Sequence, residues 1–326
     1  MKIDAHNHAI PPLALELLRD DPRFGVKLED NRWIGGANPP WFDLVPSFTD
    51  PQAKLEELER NGLDTAVVSP APPLFFYHTD AAATETLTQA INTGLSDFCA
   101  VAPDRLSWMA SVPLQDPELA ASVLASAVSA GCVGVEIATK TPQRRLDHPD
   151  LEPFWSSVEA HSLPVMIHPG YNEPNSSLEP YYLNNVIGNQ LETTVTIERL
   201  ICAGVLDRHP DLKLVLVHAG GYFPWQAGRL RHARSVRPEL ADSPIDPWSY
   251  LDQLWFDVIT HDRAALEYLI ERVGAENVLM GTDLPFDMAL ENPVHELNEA
   301  AGPEKTQTVV ETNPASLFGL ASRSNV

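Results

Sequence analysis

Four short apolar segments of this chain each end in a histidine or an aspartate, and that repetition constrains the fold more than any other feature. They are Ile3-Asp-Ala-His6-Asn-His8, Pro164-Val-Met-Ile-His168, Leu214-Val-Leu-Val-His218 and Val278-Leu-Met-Gly-Thr-Asp283. Side chains alternate along a β-strand, so His6 and His8 point to one side of the first strand. Imidazoles and carboxylates are costly at the ends of apolar strands unless they are paired or bind a metal. A fold that gathers several strand ends at one place satisfies all of them together.

Other apolar runs supply the remaining strands. Asp64–Val68, Leu106–Val112, Cys132–Ile137 and Leu254–Ile259 join Ile3–His6, Val165–His168, Lys213–His218 and Asn277–Gly281, eight in all. Helical patterns separate them at Gln52–Asn61, Ala82–Ala102, Pro117–Ala130, Leu151–His161, Glu192–Arg208, Pro224–Arg234 and Arg263–Val273. Strands alternating with helices imply βαβ units and a parallel sheet. Eight units predict a closed (β/α)8 TIM barrel with its active site at the strand C-terminal ends. An open doubly wound sheet is the alternative, but no glycine-rich phosphate loop follows the first strand. Residues of about 11–46 are rich in Pro, Gly, Asn and Trp, and only Leu13–Arg19 looks helical. They read as a small insertion after the first strand, lying over the barrel mouth. A barrel of 326 residues is expected to be one domain, 1–326.

Composition narrows the function. A formal net charge of -23 argues against a nucleic-acid partner, which demands a basic surface. It also opposes long-range attraction of anions, so an anionic substrate needs local positive charge from a metal or specific arginines. No apolar run is long enough to span a membrane, and no basic segment followed by an apolar run marks a signal peptide. Cys99, Cys132 and Cys202 are widely spaced in apolar or helical contexts, and read as free thiols in a reducing, cytoplasmic compartment.

The ligand chemistry follows from the constellation. A lone histidine at a strand end is more often a satisfied polar residue, but one same-face pair plus three further polar strand ends is hard to obtain from packing alone. Three imidazoles and one carboxylate suit a single divalent ion, Zn²⁺ first, with one open position for water. Fe²⁺, Mn²⁺ and Co²⁺ accept similar ligands. His6, His8 and His168 are read as ligands. Asp283 either ligates the ion or accepts a proton from its water. His218 is read as the general acid/base beside it, since imidazole titrates near neutral pH. The ion lowers the pKa of bound water and supplies hydroxide at about pH 7. Phe75 and Tyr77, after the second strand, are candidates for substrate contact.

These residues, with Ser111-Val-Pro-Leu-Gln-Asp116, His168-Pro169, His218-Ala-Gly-Gly-Tyr-Phe-Pro224 leading to Gly228-Arg229, Gly281-Thr-Asp-Leu-Pro-Phe286 and Asn313-Pro-Ala-Ser316, extend over nearly the whole chain. The pattern resembles the amidohydrolase superfamily, specifically its branch around 2-amino-3-carboxymuconate-6-semialdehyde decarboxylase. The resemblance implies a barrel of the metal-dependent hydrolase type. It implies one divalent metal, usually zinc, on the residues matching His6, His8, His168 and Asp283, with His218 activating the metal's water. It implies non-oxidative loss of CO₂ from a small unsaturated or aromatic carboxylic acid, without an organic cofactor. It also implies a homodimer in which arginines matching Arg229 and Arg237 contact the substrate carboxylate across the interface. Arg237 matches by spacing only. An amide or lactone hydrolase, or a hydratase of a muconate-like acid, would use the same residues. A barrel that keeps its metal as a structural staple is the non-catalytic alternative.

The sequence departs from that family at two places. Near the family's substrate-binding arginine it has Pro40-Trp41-Phe42-Asp43, with Arg32 in a different register. Gly170 follows His168-Pro169 where the namesake has a bulky aromatic. Glu136 sits near the end of the fourth strand, where binuclear superfamily members place a bridging lysine. It reads as a polar wall residue.

Overall fold

The computed structural model describes residues 1–29, 32–35, 42–170, 177–243 and 246–320, so Pro40 and Trp41 lie outside the described residues. Eight parallel strands follow one another around a barrel in chain order. They are β1 (Ile3–Ala9), β2 (Thr65–Pro70), β3 (Leu106–Ala110), β4 (Gly134–Ala138), β5 (Pro164–His168), β6 (Lys213–Leu216), β7 (Leu254–Asp257) and β8 (Val278–Leu279). Ladders join each to the next. The Ala5 amide donates to the Met280 carbonyl, and the His8 amide to the Leu284 carbonyl, both at 2.8 Å. These bonds bring the last strand back to the first.

Helices surround the strands, and aspartates start several of them. Asp50, Asp80, Asp116 and Asp262 each accept a backbone amide in the first turn of the helix that follows. Apolar side chains fall into two clusters. The main core, including Val68, Leu106, Val135, Val165 and Leu214, lies between strands and helices. A second cluster of Ile3, Ala5, Val67, Met109, Met166, Val215 and Leu279 fills the barrel. Its base is closed by Leu317, Phe318 and Leu320.

Strict alternation along β1 would place His6 opposite Ile3 and Ala5. A register shift between Asp4 and Asn7 inserts one extra residue against β2. This bulge reverses the parity, so Ile3 and Ala5 fill the barrel below while His6 and His8 face the same interior above them.

Several boundaries differ from the sequence reading. The sixth strand was expected to run to His218 but ends at Leu216, because His218 and Ala219 take left-handed backbones with φ of 54° and 56°. The expected helix over Glu192–Arg208 is two helices, Gln190–Cys202 and Val205–Arg208, parted at Gly204 with φ of 67°. Within the insertion, Pro12–Asp20 is helical. The remainder holds a three-stranded antiparallel sheet of Val26–Glu29, Arg32–Gly35 and Phe42–Asp43. Its aromatics lead to the barrel mouth. Trp33 stacks on Phe42, Phe42 meets Phe286, and Phe286 packs edge-on to His8 with centroids 5.3 Å apart.

Candidate metal centre

The strand ends converge as barrel geometry requires. His6 and His8 come from β1, His168 ends β5, and Asp283 follows β8. One donor atom from each lies within 4.8 Å of all the others, and all four residues are buried. The Nε2 atoms of His6 and His8 are 3.0 Å apart. Asp283 Oδ1 is 3.0 Å from His8 Nε2, 3.5 Å from His6 Nε2 and 3.9 Å from His168 Nε2. Atoms that each bind one ion at about 2.0–2.2 Å stand roughly 3–3.5 Å apart, so the cluster fits a single cation. Among the described residues His168 Nε2 is buried without a hydrogen-bond partner, and its Nδ1 is 2.8 Å from the Pro169 carbonyl. An imidazole tied at Nδ1 presents the Nε2 lone pair to a metal. This is a buried His/His/His/Asp metal site.

Burial favours the neutral imidazoles that ligation needs. It lowers the pKa of His8 to about 4 and that of His168 to about 3, against the nearby Asp283 carboxylate. Burial opposes charge on His6 too, but its hydrogen bond to Asp257 and the surrounding carboxylates outweigh this and raise it to about 9. Burial likewise opposes the Asp283 carboxylate, but the histidines around it outweigh burial and hold it well below the usual carboxylate range.

His218 stands beside this group, with Nε2 3.6 Å from Asp283 Oδ2 and its ring 5.1 Å from that of His168. Its Nδ1 has no hydrogen-bond partner among the described residues. Nε2 faces the Asp283 carboxylate while Nδ1 stays open, an arrangement that lets an imidazole take up and hand over a proton.

The other expected site residues lie outside this four-residue cluster. Phe75 and Tyr77 are buried and stacked on each other. A Cβ on Gly170 would lie 2.8 Å from the Phe75 ring, so Phe75 fills the space beside the residue after His168-Pro169. Arg229 is exposed on the helix Phe223–Val236. Arg237 is exposed beyond that helix and pairs with Glu239. Arg32 pairs with Asp43 on the insertion sheet at 2.9 Å. Among the described residues, no ion pair joins Arg229 or Arg237 to a member of the histidine cluster.

Sequence reasoning missed the groups that hold the ligands. His6 Nδ1 lies 2.8 Å from Asp257 Oδ2, and His8 Nδ1 lies 3.0 Å from Ser69 Oγ. Asp4 accepts from Asn7 Nδ2 at 2.7 Å and from the Thr282 amide and hydroxyl at 3.1 and 2.6 Å. It thereby ties β1 to the segment carrying Asp283. Burial pushes the Asp4 carboxyl up to about 6 despite these donors. Asp257 ends an apolar strand as the ligand histidines do, and that was its available signal. Glu136 is fully buried 3.9 Å from His8 Nδ1, and burial keeps its pKa well above the ordinary value.

Comparison with known proteins agrees with this geometry. Residues 3–320 match the family described as Amidohydrolase. A 2-amino-3-carboxymuconate-6-semialdehyde decarboxylase of Dictyostelium discoideum is 31% identical, over 98% of this chain and 89% of its own. A gamma-resorcylate decarboxylase of Rhizobium sp. is 29% identical, over 76% and 80%. Among solved structures, the apo IDCase of Metarhizium anisopliae superposes with a TM-score of 0.89 at 23% identity, covering 99% and 98%. A dihydroxybenzoic acid decarboxylase of Polaromonas sp., with bound manganese and 2-nitroresorcinol, has a TM-score of 0.79 at 23% identity, covering 100% and 99%.

Proposed function

The chain belongs to the amidohydrolase family, in its decarboxylase branch, and on that premise we propose that it removes CO₂ non-oxidatively from a small unsaturated or aromatic carboxylic acid. The observation that carries this reading is the buried His6, His8, His168 and Asp283 cluster with His218 beside it, Nε2 toward Asp283. The three-nitrogen, one-oxygen donor set favours Zn²⁺ as the resident ion. The manganese of the Polaromonas structure makes Mn²⁺ the second candidate. When bound, the ion polarises substrate oxygens and neutralises charge that builds up as CO₂ leaves.

The chain's own residues do the rest. The bond between the carboxylate carbon and its neighbour breaks, and its electron pair stays on the neighbouring carbon. His218 delivers a proton to that carbon and recovers one from solvent. The walls are apolar, with Phe286 against His8 and Phe75 against Gly170, which suits a flat unsaturated substrate. Arg229 and Arg237 act on the substrate carboxylate of a second copy in a homodimer. Exposed Tyr181, Tyr182, Val186, Ile187, Leu191 and Trp225 support such an interface. The Tyr222 hydroxyl, 3.4 Å from the Ile187 carbonyl, links their segment to the helix bearing Arg229. Free Cys99, Cys132 and Cys202 support a reducing, cytoplasmic setting, and no helix among the described residues is long and apolar enough to cross a membrane.

The test is CO₂ release by the zinc-loaded protein over a panel of 2-amino-3-carboxymuconate-6-semialdehyde and hydroxylated benzoates. Release that is lost on exhaustive chelation and restored by Zn²⁺ or Mn²⁺ is expected. Water incorporation into amides, lactones or muconates without CO₂ would overturn the reading.

A further inference from the structure

Asp257 ends β7 with its side chain 1% exposed, and four groups converge on its carboxylate. Oδ2 is 2.8 Å from His6 Nδ1 and accepts the His218 amide at 2.8 Å. Oδ1 accepts the amides of Ala219 and Ile259 at 2.7 and 3.1 Å. One carboxylate therefore touches a metal-ligand side chain from β1 and the backbone that carries His218 after β6. That backbone is strained, since His218 and Ala219 both have positive φ and neither is glycine. Two successive amides of such a turn form a concavity that favours an anion.

We infer that Asp257 is the positioning residue that sets His6 and His218 in register, holding His6 as the tautomer whose Nε2 faces the ion and pinning the left-handed turn beneath His218. This rests on the function proposed above. An asparagine shows why charge, not shape, matters. Its NH₂ group must replace one of the two oxygens. Turned toward Ala219 and Ile259, it meets two amide donors. Turned the other way, it meets the His218 amide and His6 Nδ1. His6 can then accept only by shifting its proton to Nε2, which closes the metal position.

The experiment compares wild type with Asp257→Asn. Zn²⁺ is titrated against a chromogenic chelator, and CO₂ release is followed at saturating Zn²⁺. The Zn²⁺ Kd is expected to rise about 10- to 100-fold, as outer-shell changes do. At saturating Zn²⁺, kcat is expected to fall about tenfold or more while KM stays within about threefold. Unchanged metal affinity overturns the inference. So does weakened affinity with unchanged kcat at saturating metal, which would make Asp257 a partner of His6 alone. Should Asp257→Asn fail to fold, the ¹⁵N spectrum of histidine-labelled wild type loaded with Zn²⁺ decides the first half. A protonated His6 Nδ1 supports it and a deprotonated one overturns it. If wild type releases no CO₂, the proposed function falls, and the metal Kd still tests the hold on His6.

Discussion

Gly281 tests how tightly the barrel holds its first ligand. It lies between β8 and Asp283, and its φ is not positive, so alanine fits its backbone without strain. The obstacle is space. A Cβ there would lie 2.7 Å from the Cβ of His6, 3.0 Å from that of Asp257 and 3.6 Å from His6 Cγ. Carbon atoms pack best at about 3.5–4.0 Å, so relief requires a shift of about 1 Å. The first two contacts are stiff stem atoms, not the ends of flexible chains. A shift of that size would lengthen the 2.8 Å His6–Asp257 bond beyond hydrogen-bonding reach and move Nε2 off the cluster. Overpacking of this kind costs about 1–3 kcal/mol, less the roughly 0.4–1 kcal/mol by which alanine stiffens the unfolded chain. If the strain falls on the holo geometry, metal affinity drops by about 5- to 150-fold. Gly281→Ala should be titrated with Zn²⁺ against a competing chelator, with thermal unfolding recorded with and without metal. A variant that binds Zn²⁺ as wild type does, whatever its melting temperature, refutes the argument that His6 has no room to move.

His218→Ala should keep the Zn²⁺ Kd within about threefold while kcat falls by about 10²–10⁴, the range of general acid/base catalysis. Normal turnover would remove His218 from the proton path. The metal-free His6, raised to about 9, carries a proton at neutral pH that ligation must displace. Apparent Zn²⁺ affinity should therefore climb by about tenfold per pH unit between His6's ordinary value and about 9, and level off above. Calorimetry in buffers of different ionisation enthalpy should find about one proton released per ion at pH 7. An affinity flat with pH over that window would show that His6 is already neutral. Ser69→Ala removes the partner of His8 Nδ1 together with a hydrogen bond to the Asn7 carbonyl, and should weaken Zn²⁺ binding by about 10- to 100-fold while kcat at saturating metal holds. A fall in kcat there would show that His8 orientation also governs the chemistry.

The ligands were legible in the sequence because two simple periods coincide. A strand places alternate side chains together, and a parallel barrel places all strand C-termini on one rim, so a polar residue closing an apolar run announces its destination. His6, His8, His168 and Asp283 meet on that logic. The same logic put His6 and His8 on one side of β1, but it does not announce the bulge after Asp4 that brings Ile3 and Ala5 to the same interior. It also ran the sixth strand two residues too far. His218 leaves the strand because Asp257 offers its turn an anionic seat, a contact spanning 39 residues that no local pattern encodes. The outer partners are hidden for a related reason. Asp257, Ser69 and Asp4 are ordinary strand residues until the barrel closes, and their meaning lies in the distant atoms they meet. A ligand is announced by its own position, whereas its support is defined by pairs. Changes at the supports therefore separate functions that changes at the ligands would destroy together. Ser69 meets His8 Nδ1 and the Asn7 carbonyl, whereas Asp257 meets His6 Nδ1 and the turn that carries His218. If Ser69→Ala and Asp257→Asn weaken Zn²⁺ binding alike, but only Asp257→Asn slows the metal-saturated enzyme, the two roles divide along the hydrogen bonds described.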